Sequence, residues 1–342
     1  MTVRDFGLPR PELDGAHILI TGGTGSFGQA MVRRVLAEFR PARLIIFSRD
    51  EQKQYEMDLA LRPPHDTPLR FFIGDVRNEA RLEMAMRGVD FVFHAAALKH
   101  VPAAEYNPFE CINTNVFGAE NVVQAAIRAG VKRVVALSTD KACNPINLYG
   151  ASKLASDKIF VAANHLAGPN GPRFSVVRYG NVLGSRGSVV PLFRRLVASG
   201  AERLPITDPR MTRFWITLRQ GIDFVLSALA TMEGGEIFVP KIPSMRIVDL
   251  ARAMAGGAEH EVVGIRPGEK LHEMMISEDD ARNTIEQPDR YVIMPGFAWW
   301  REKSALAARY PRVREGFSYG SNTNAEWLDA EALRRLVAEI DG

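Results

Sequence analysis

From residue 16 onward, short apolar runs alternate with longer segments of helical period. The runs are His17 to Thr21, Arg43 to Phe47, Arg70 to Gly74, Asp90 to Ala97, Val131 to Ser138 and Phe174 to Tyr179. Continuous apolar strands separated by helices predict an α/β fold, a Rossmann-like doubly wound parallel sheet. Some helix ends are readable too. Asn107-Pro108 opens a segment with Pro at its first position, and Gly130 closes it before the next run. After about residue 183 the pattern changes to helices, short strands and Pro or Gly turns, which predicts a smaller C-terminal α/β substrate lobe over 183–342 beside a nucleotide-binding domain over 15–182. The boundary is soft. Thr217-x-x-Gln220 is a capping box for a helix running to Met232, and residues 217–240, including the strand Glu236 to Pro240, could fold back onto the first sheet. No internal repeat or low-complexity segment is present.

Composition narrows the class. The chain has 342 residues, 46% hydrophobic and 24% charged, enough for a sizeable core and two lobes. Its 43 Lys plus Arg against 40 Asp plus Glu leave a formal charge of +3 without runs of one sign, so nothing points to nucleic acid. A local anion site needs no such global field. Cys111 and Cys143 have neither redox nor zinc spacing, and no histidine pair has ligand spacing, so no metal is expected. His94 and His100 read as packed or cofactor-adjacent. The N-terminal stretch lacks the apolar core of a signal peptide and no run approaches a membrane span, so the expected setting is cytoplasmic, with no membrane partner.

The first candidate chemistry lies at the first strand. Ile18 to Thr21 runs directly into Gly22-Gly23-Thr24-Gly25-Ser26-Phe27-Gly28, followed by an apolar helical pattern. Such a turn brings backbone N–H groups against a pyrophosphate at a helix N-terminus, and Gly22, Gly25 and Gly28 leave room for that approach. The second strand ends Ser48-Arg49-Asp50-Glu51-Gln52-Lys53. Arg49 and Lys53, with Ser48 as a further donor, could clamp a 2'-phosphate, whereas Asp50 could serve the ribose hydroxyl of NAD; the basic pair favours NADP. Asp75-Val76 closes the third strand where an adenine would lie, and Ala95, Ala96 and Ala97 leave space beside the cofactor path.

The second lies at the fifth strand. Ser138-Thr139-Asp140-Lys141 is followed by Tyr149-Gly150-Ala151-Ser152-Lys153, which puts Tyr149 and Lys153 on one helix face. An ammonium there would lower the phenol pKa from about 10 toward the working pH and make Tyr149 a base. Asp140 and Lys141 raise a geometric difficulty, because successive strand residues point to opposite faces. The strand must therefore end in a turn at this point, which Asn144-Pro145 favours.

With these motifs the chain resembles the extended short-chain dehydrogenase/reductase superfamily, and within it the inverting UDP-N-acetylglucosamine 4,6-dehydratases that begin pseudaminic acid synthesis. The further segments that carry the resemblance are His-Ala-Ala-Ala-Leu-Lys-His-Val-Pro (94 to 102), Arg-Tyr-Gly-Asn-Val-Leu-Gly-Ser-Arg-Gly-Ser (178 to 188) and Ile-Arg-Pro-Gly-Glu-Lys-Leu-His-Glu (265 to 273). The Asp-Lys dipeptide is the discriminating element, since related retaining dehydratases carry Asp-Glu there and 4-epimerases lack the pair.

The resemblance implies a hydro-lyase with NADP held permanently and recycled within each turnover. It implies Tyr149, Thr139 and Lys153 in oxidation at C4 of a UDP-sugar, Lys141 as the base at C5 and Asp140 as the acid for the 6-hydroxyl. For that, burial must lower the Lys141 pKa from about 10.4 to near 7 and keep Asp140 protonated. It further implies cofactor contacts from Thr24, Ser26, Phe27, Lys99, Val182 and Arg186, and substrate contacts from Lys99, Asn181, Val189, Thr207 and Arg266, the last on the diphosphate. A homo-oligomer is implied as well. The alternatives are a UDP-sugar 4-epimerase or reductase of the same fold, and a non-catalytic NADP-binding sensor. The tail around Phe317-Ser318-Tyr319 is similar to the family but suggests no role.

Overall fold

The computed structural model describes residues 4–61, 66–185, 187–296 and 304–341. Six parallel strands, β1 (His17–Thr21), β2 (Arg43–Ser48), β3 (Leu69–Ile73), β4 (Phe91–His94), β5 (Arg133–Thr139) and β6 (Arg173–Tyr179), form the heart of a nine-stranded sheet. Its order is Thr284–Glu286, Arg290–Ile293, Ile237–Pro240, β6, β5, β4, β1, β2, β3. The apolar runs are continuous because helices cover both faces; Ile18, Leu19 and Ile20 are all fully buried. β1 pairs with β2 on one side and β4 on the other, so chain direction across the sheet reverses there. The crevice beyond the carboxyl ends of β1 and β4 is where such sheets bind ligands.

Ile237–Pro240 runs parallel to β6, and Arg290–Ile293 extends the sheet antiparallel to it. The helix Leu218–Thr231 leading into this part carries the expected capping box, with the Thr217 and Gln220 side chains each bonding the other's backbone N–H. Arg34 on the helix Ser26–Glu38 pairs with Asp223 on this helix at 2.6 Å. A second apolar cluster, around Phe193, Trp215, Leu250 and Leu333, lies outside the main core. It backs a three-stranded sheet of Asn181–Val182, Thr212–Ile216 and Ser244–Arg246.

Two local expectations change. The fourth run is a strand only to His94, because the Thr21 hydroxyl and carbonyl take the Ala95 amide and the hydroxyl also reaches that of Ala96, turning the chain across β1. The segment opened by Asn107-Pro108 is not one helix; a π-helical turn at Asn113–Phe117 separates Pro108–Ile112 from Gly118–Ala129. Asn115 in that turn bonds both the N–H and the C=O of Leu98, at 2.8 and 2.9 Å, and so braces the loop after β4. Gly130 ends the segment at φ +68°, a conformation that suits glycine.

Candidate active site

The glycine turn is compact on its inner side and open on its outer side. Gly22 has φ +66°, and a Cβ on it would lie 2.8 Å from the Ala96 nitrogen. A Cβ on Gly28 would lie 2.5 Å from the Gly23 Cα, so helix and turn meet without room for a side chain. Gly25, the N-cap of the helix Ser26–Glu38, would meet only the Gly22 carbonyl, at 3.2 Å. No side chain caps the helix and no acidic residue sits in its first turn. These are the open amides and positive dipole end that a pyrophosphate requires, so the turn fits a dinucleotide. Thr24 is buried beneath it, Ser26 is partly exposed, and Phe27 packs onto the core. His94 shares a 2.8 Å hydrogen bond with Thr21; burial, with Lys153 adding, pushes its pKa down to about 3, so the ring is a neutral packed histidine.

At the ends of β2 and β3 the charged groups are mutually paired. Arg49 lies 3.4 Å from Asp75, Lys53 bonds Asp50, and Arg77 binds Asp75 through Nε and Nη2. The Ser48 oxygen accepts from Gln54 at 3.0 Å, which leaves its own proton to donate. Val76 packs under Gly118. Both cations expected to hold a 2'-phosphate are therefore at one edge, together with the carboxylate expected to hold a hydroxyl.

The third constellation is buried. β5 ends at Thr139 and a 3-10 turn, Asp140–Ala142, follows, with the Thr139 side chain accepting from the Lys141 amide. The turn removes the alternation of a strand, so Asp140 and Lys141 face one another: Lys141 Nζ donates to Asp140 Oδ1 at 3.0 Å, and Thr139 donates to the same oxygen at 3.0 Å. Asn144 takes φ +46° just beyond, a left-handed conformation that asparagine tolerates. On the far side of the ammonium stands Glu273, with Oε1 at 3.1 Å, and Asn181 Oδ1 lies at 3.5 Å.

Glu273 is built in with care. Its amide donates to Ser321 Oγ and its carbonyl accepts from the Ser321 amide. Arg213 holds the carbonyls of Lys270 and Leu271 and comes within 3.8 Å of the carboxylate, while Lys270 lies 4.0 Å from its other oxygen. The tail strand Tyr319–Gly320, which suggested no role in the sequence, pairs with Met274–Ile276 and so locks this carboxylate in place.

Electrostatics follow from burial plus neighbours. Burial raises the Asp140 pKa, and Glu273 adds to it against the opposing Lys141. Burial alone would favour a neutral Lys141, but Asp140 and then Glu273 outweigh it and hold the ammonium above the usual lysine range. Burial would likewise protonate Glu273, yet Lys141, Arg213 and Lys270 keep it below the usual carboxylate range. The expectation that burial leaves Lys141 an amine is thus overturned: two carboxylates within 3.1 Å keep its proton.

Tyr149 departs from expectation too. Burial pushes its phenol up to about 12, and the opposing influences are the Lys141 charge and a hydrogen bond to Thr139. Lys153 instead lies 3.5 Å from Ser156, with a pKa lowered by burial against the charge of Asp157. Asp157 is the centre of a buried network, accepting from Ser138 at 2.8 Å and Arg178 at 3.2 Å. The Tyr-x-x-x-Lys pair shares a helix, but the cation that acts on the phenol comes from the Asp-Lys turn.

The structure joins Asn181 to this cluster. Arg266 is exposed and pairs with Glu269 at 3.8 Å, although its turn docks on the Tyr149 helix: Asn147 bonds the Gly268 carbonyl at 2.7 Å and Lys270 bonds the Cys143 carbonyl at 2.6 Å. Thr207 donates toward the Met211 sulfur at 3.0 Å, Val189 opens the helix Val189–Ala198 by the second cluster, and Val182 packs against the main core. None of these three bonds the Lys141 group. Ala95, Ala97 and Lys99 lie on the loop beyond β4, and Arg186 falls outside the described residues. Sequence reasoning missed Glu273, Arg213 as its guide, and Lys270. The available signal was a glutamate leading into a short apolar run, Met274 to Ile276, in a motif read only as far as its arginine.

Residues 18–295 match the family described as polysaccharide biosynthesis protein. A protein of Campylobacter jejuni subsp. jejuni, "UDP-N-acetylglucosamine 4,6-dehydratase (inverting)", is 55% identical over 96% of this chain and 99% of its own. The "UDP-glucose 4-epimerase" of Rickettsia akari is 47% identical over 95% and 96%. Among solved structures, Pen from Bacillus thuringiensis superposes with a TM-score of 0.87 at 36% identity, covering 96% of this chain and 99% of that one. DesIV, a dTDP-glucose 4,6-dehydratase from Streptomyces venezuelae with NAD bound, gives 0.66 at 27% identity over 75% and 86%.

Proposed function

Because the chain belongs to the polysaccharide biosynthesis protein family, and in it to the inverting UDP-N-acetylglucosamine 4,6-dehydratases of the extended short-chain dehydrogenase/reductase superfamily, we propose that it dehydrates UDP-N-acetylglucosamine with inversion at C5. The product would be UDP-2-acetamido-2,6-dideoxy-β-L-arabino-hex-4-ulose, the first intermediate toward pseudaminic acid-type sugars. The observation that carries the reading is the partly buried Lys141 with the fully buried Asp140 at 3.0 Å beside Tyr149. An epimerase needs no second acid–base pair, whereas elimination of water needs a base at C5 and an acid at the 6-hydroxyl.

The cradle for the dinucleotide is the turn Gly22 to Gly28, with Asp75, Val76, Ala95 and Ala97 along the path and Lys99, Val182 and Lys153 toward the sugar. Arg49 and Lys53 favour NADP over NAD. When bound, the oxidised nicotinamide would accept hydride from C4 and later give it to C6. Tyr149 takes the 4-hydroxyl proton, aided by Thr139 and by the Lys141 charge that opposes the effect of burial. The C4 ketone then acidifies C5-H. One proton shared by Asp140 and Lys141 serves both next roles: its transfer from Nζ to Oδ1 across 3.0 Å yields an amine to remove the C5 proton and a carboxylic acid to release the 6-hydroxyl as water. Arg266 and Thr207 are assigned to the UDP moiety, and Asn181 and Val189 to the sugar end. No described helix is long and apolar enough to cross a membrane; a cytoplasmic homo-oligomer is part of the same proposal.

The test is product identification. Purified protein incubated with UDP-N-acetylglucosamine, without added cofactor, should give a 6-deoxy-4-keto sugar by proton NMR. A 4-epimer with its 6-hydroxymethyl group intact would establish the epimerase alternative, and unchanged substrate would favour the sensor.

A further inference from the structure

The Asp140–Lys141 pair has a third member that the proposed acid–base roles do not use. Glu273 is 2% exposed and comes from a segment remote in the chain, fixed at both backbone groups by Ser321 and approached by Arg213 and Lys270. One of its oxygens faces Lys141 at 3.1 Å; the other, and Asp140 Oδ2, are buried with no hydrogen-bond partner. A second carboxylate on the Lys141 ammonium is more than a simple ion pair needs, and burying Glu273 is costly even with Arg213 and Lys270 as its further counter-charges.

We propose that Glu273 is a positioning residue that sets how many protons the Asp140–Lys141 pair carries, and so places the pH window in which acid and base coexist. This rests on the dehydratase reading of the pair. The pair can hold two, one or no protons, and only the singly protonated form supplies amine and acid by a single transfer. A fixed negative charge beside it favours each proton, so both boundaries of the active window lie higher than they would without Glu273. The directions of the individual groups agree: Glu273 acts to raise both Asp140 and Lys141. Among the described residues, the other charged or titratable groups interacting with the pair or with Glu273 include Arg213, Lys270, Tyr149 and the buried thiol of Cys143. Arg213 and Lys270 keep Glu273 ionised while partly cancelling its field.

The experiment compares pH–rate profiles of product formation for the wild type, Glu273→Gln, Glu273→Asp and Lys270→Met. In Glu273→Gln both limbs should move to lower pH by about one pH unit or more, the range a close charge imposes. Glu273→Asp should bring the limbs back toward the wild type even if turnover stays low. Lys270→Met, which unmasks the carboxylate, should move both limbs the other way by a smaller amount. A purely structural glutamate would lower the rates and leave the limbs in place, and that result overturns the proposal. If Glu273→Gln does not fold by circular dichroism, Glu273→Ala takes its place: limbs at lower pH support the proposal and unmoved limbs overturn it. Titration of the Lys141 ammonium by proton–nitrogen-15 NMR, assigned with Lys141→Arg, separates this proposal from the function. An ammonium that deprotonates at lower pH in Glu273→Gln supports the role even if the wild type makes no 6-deoxy sugar, whereas an unchanged titration in an active enzyme refutes the role alone.

Discussion

Two clusters of opposite charges sit at carboxyl ends of the same sheet and behave differently. At β2 and β3, Arg49 and Lys53 face Asp75 and Asp50; at β5, Lys141, Arg213 and Lys270 surround Asp140 and Glu273. The first group is open, with Arg49 51% and Lys53 46% exposed, while Asp140 and Glu273 are 1% and 2% exposed. Water and salt screen the open group, so its pairs are weak and can be exchanged for an incoming anion. In the closed group the same charges decide who holds a proton. Burial, not the inventory of residues, separates the proposed binding edge from the proposed chemical centre.

The largest effect should come from breaking the closed group. Lys141→Ala is expected to lower dehydration about 10²- to 10⁴-fold, the usual worth of a positioned base, while the protein still copurifies with its nicotinamide dinucleotide, measured by absorbance after denaturation. Full turnover in that variant would remove Lys141 from the chemistry. Next is the scaffold of the open end. Gly28→Ala places a Cβ 2.5 Å from the Gly23 Cα and should cost about 1–3 kcal/mol of stability in thermal unfolding, with bound dinucleotide lost. Retained cofactor at wild-type stability would show that helix and turn can separate.

Arg49→Ala with Lys53→Ala should reduce the proposed preference for NADP over NAD on the order of tenfold by isothermal titration, since two partly screened cations are removed. An unchanged ratio would place the 2'-phosphate elsewhere or leave the ribose hydroxyl to Asp50. The smallest effect sharpens the contrast itself. Raising salt to about 0.5 M should weaken NADP binding a few-fold but leave the limbs of the pH–rate profile within about 0.2 pH unit. Limbs that moved with salt would mean the Lys141 group is not shielded.

Legibility in the sequence followed the same division. The glycine turn and β1 are local: one strand, one turn and one helix in order, readable from Ile18 to Gly28. The Asp-Lys dipeptide was readable too, and the need for a turn after Thr139 follows from strand geometry alone. The protonation state of Lys141 was only half readable: Asp140, the stronger influence, is its neighbour in the chain, but the second carboxylate, Glu273, is held at the site by the folded tail at Tyr319–Gly320 and Ser321. Likewise the π-helical turn at Asn113–Phe117 leaves no periodicity signal, since a single wide turn shifts a helix face without changing its composition. Long-range closure of the site, not its local parts, was the hidden element.

Asp140 and Lys141, sharing one proton, are proposed to remove the C5 proton and release the 6-hydroxyl as water, with a proton then delivered to C5 from the opposite face. The direct measurement is turnover of UDP-N-acetylglucosamine in deuterated water with no added cofactor, followed by proton NMR. A 6-deoxy-4-keto product carrying deuterium at an inverted C5 is the predicted result. A product with C5 in its original configuration, or without solvent deuterium there, would contradict it.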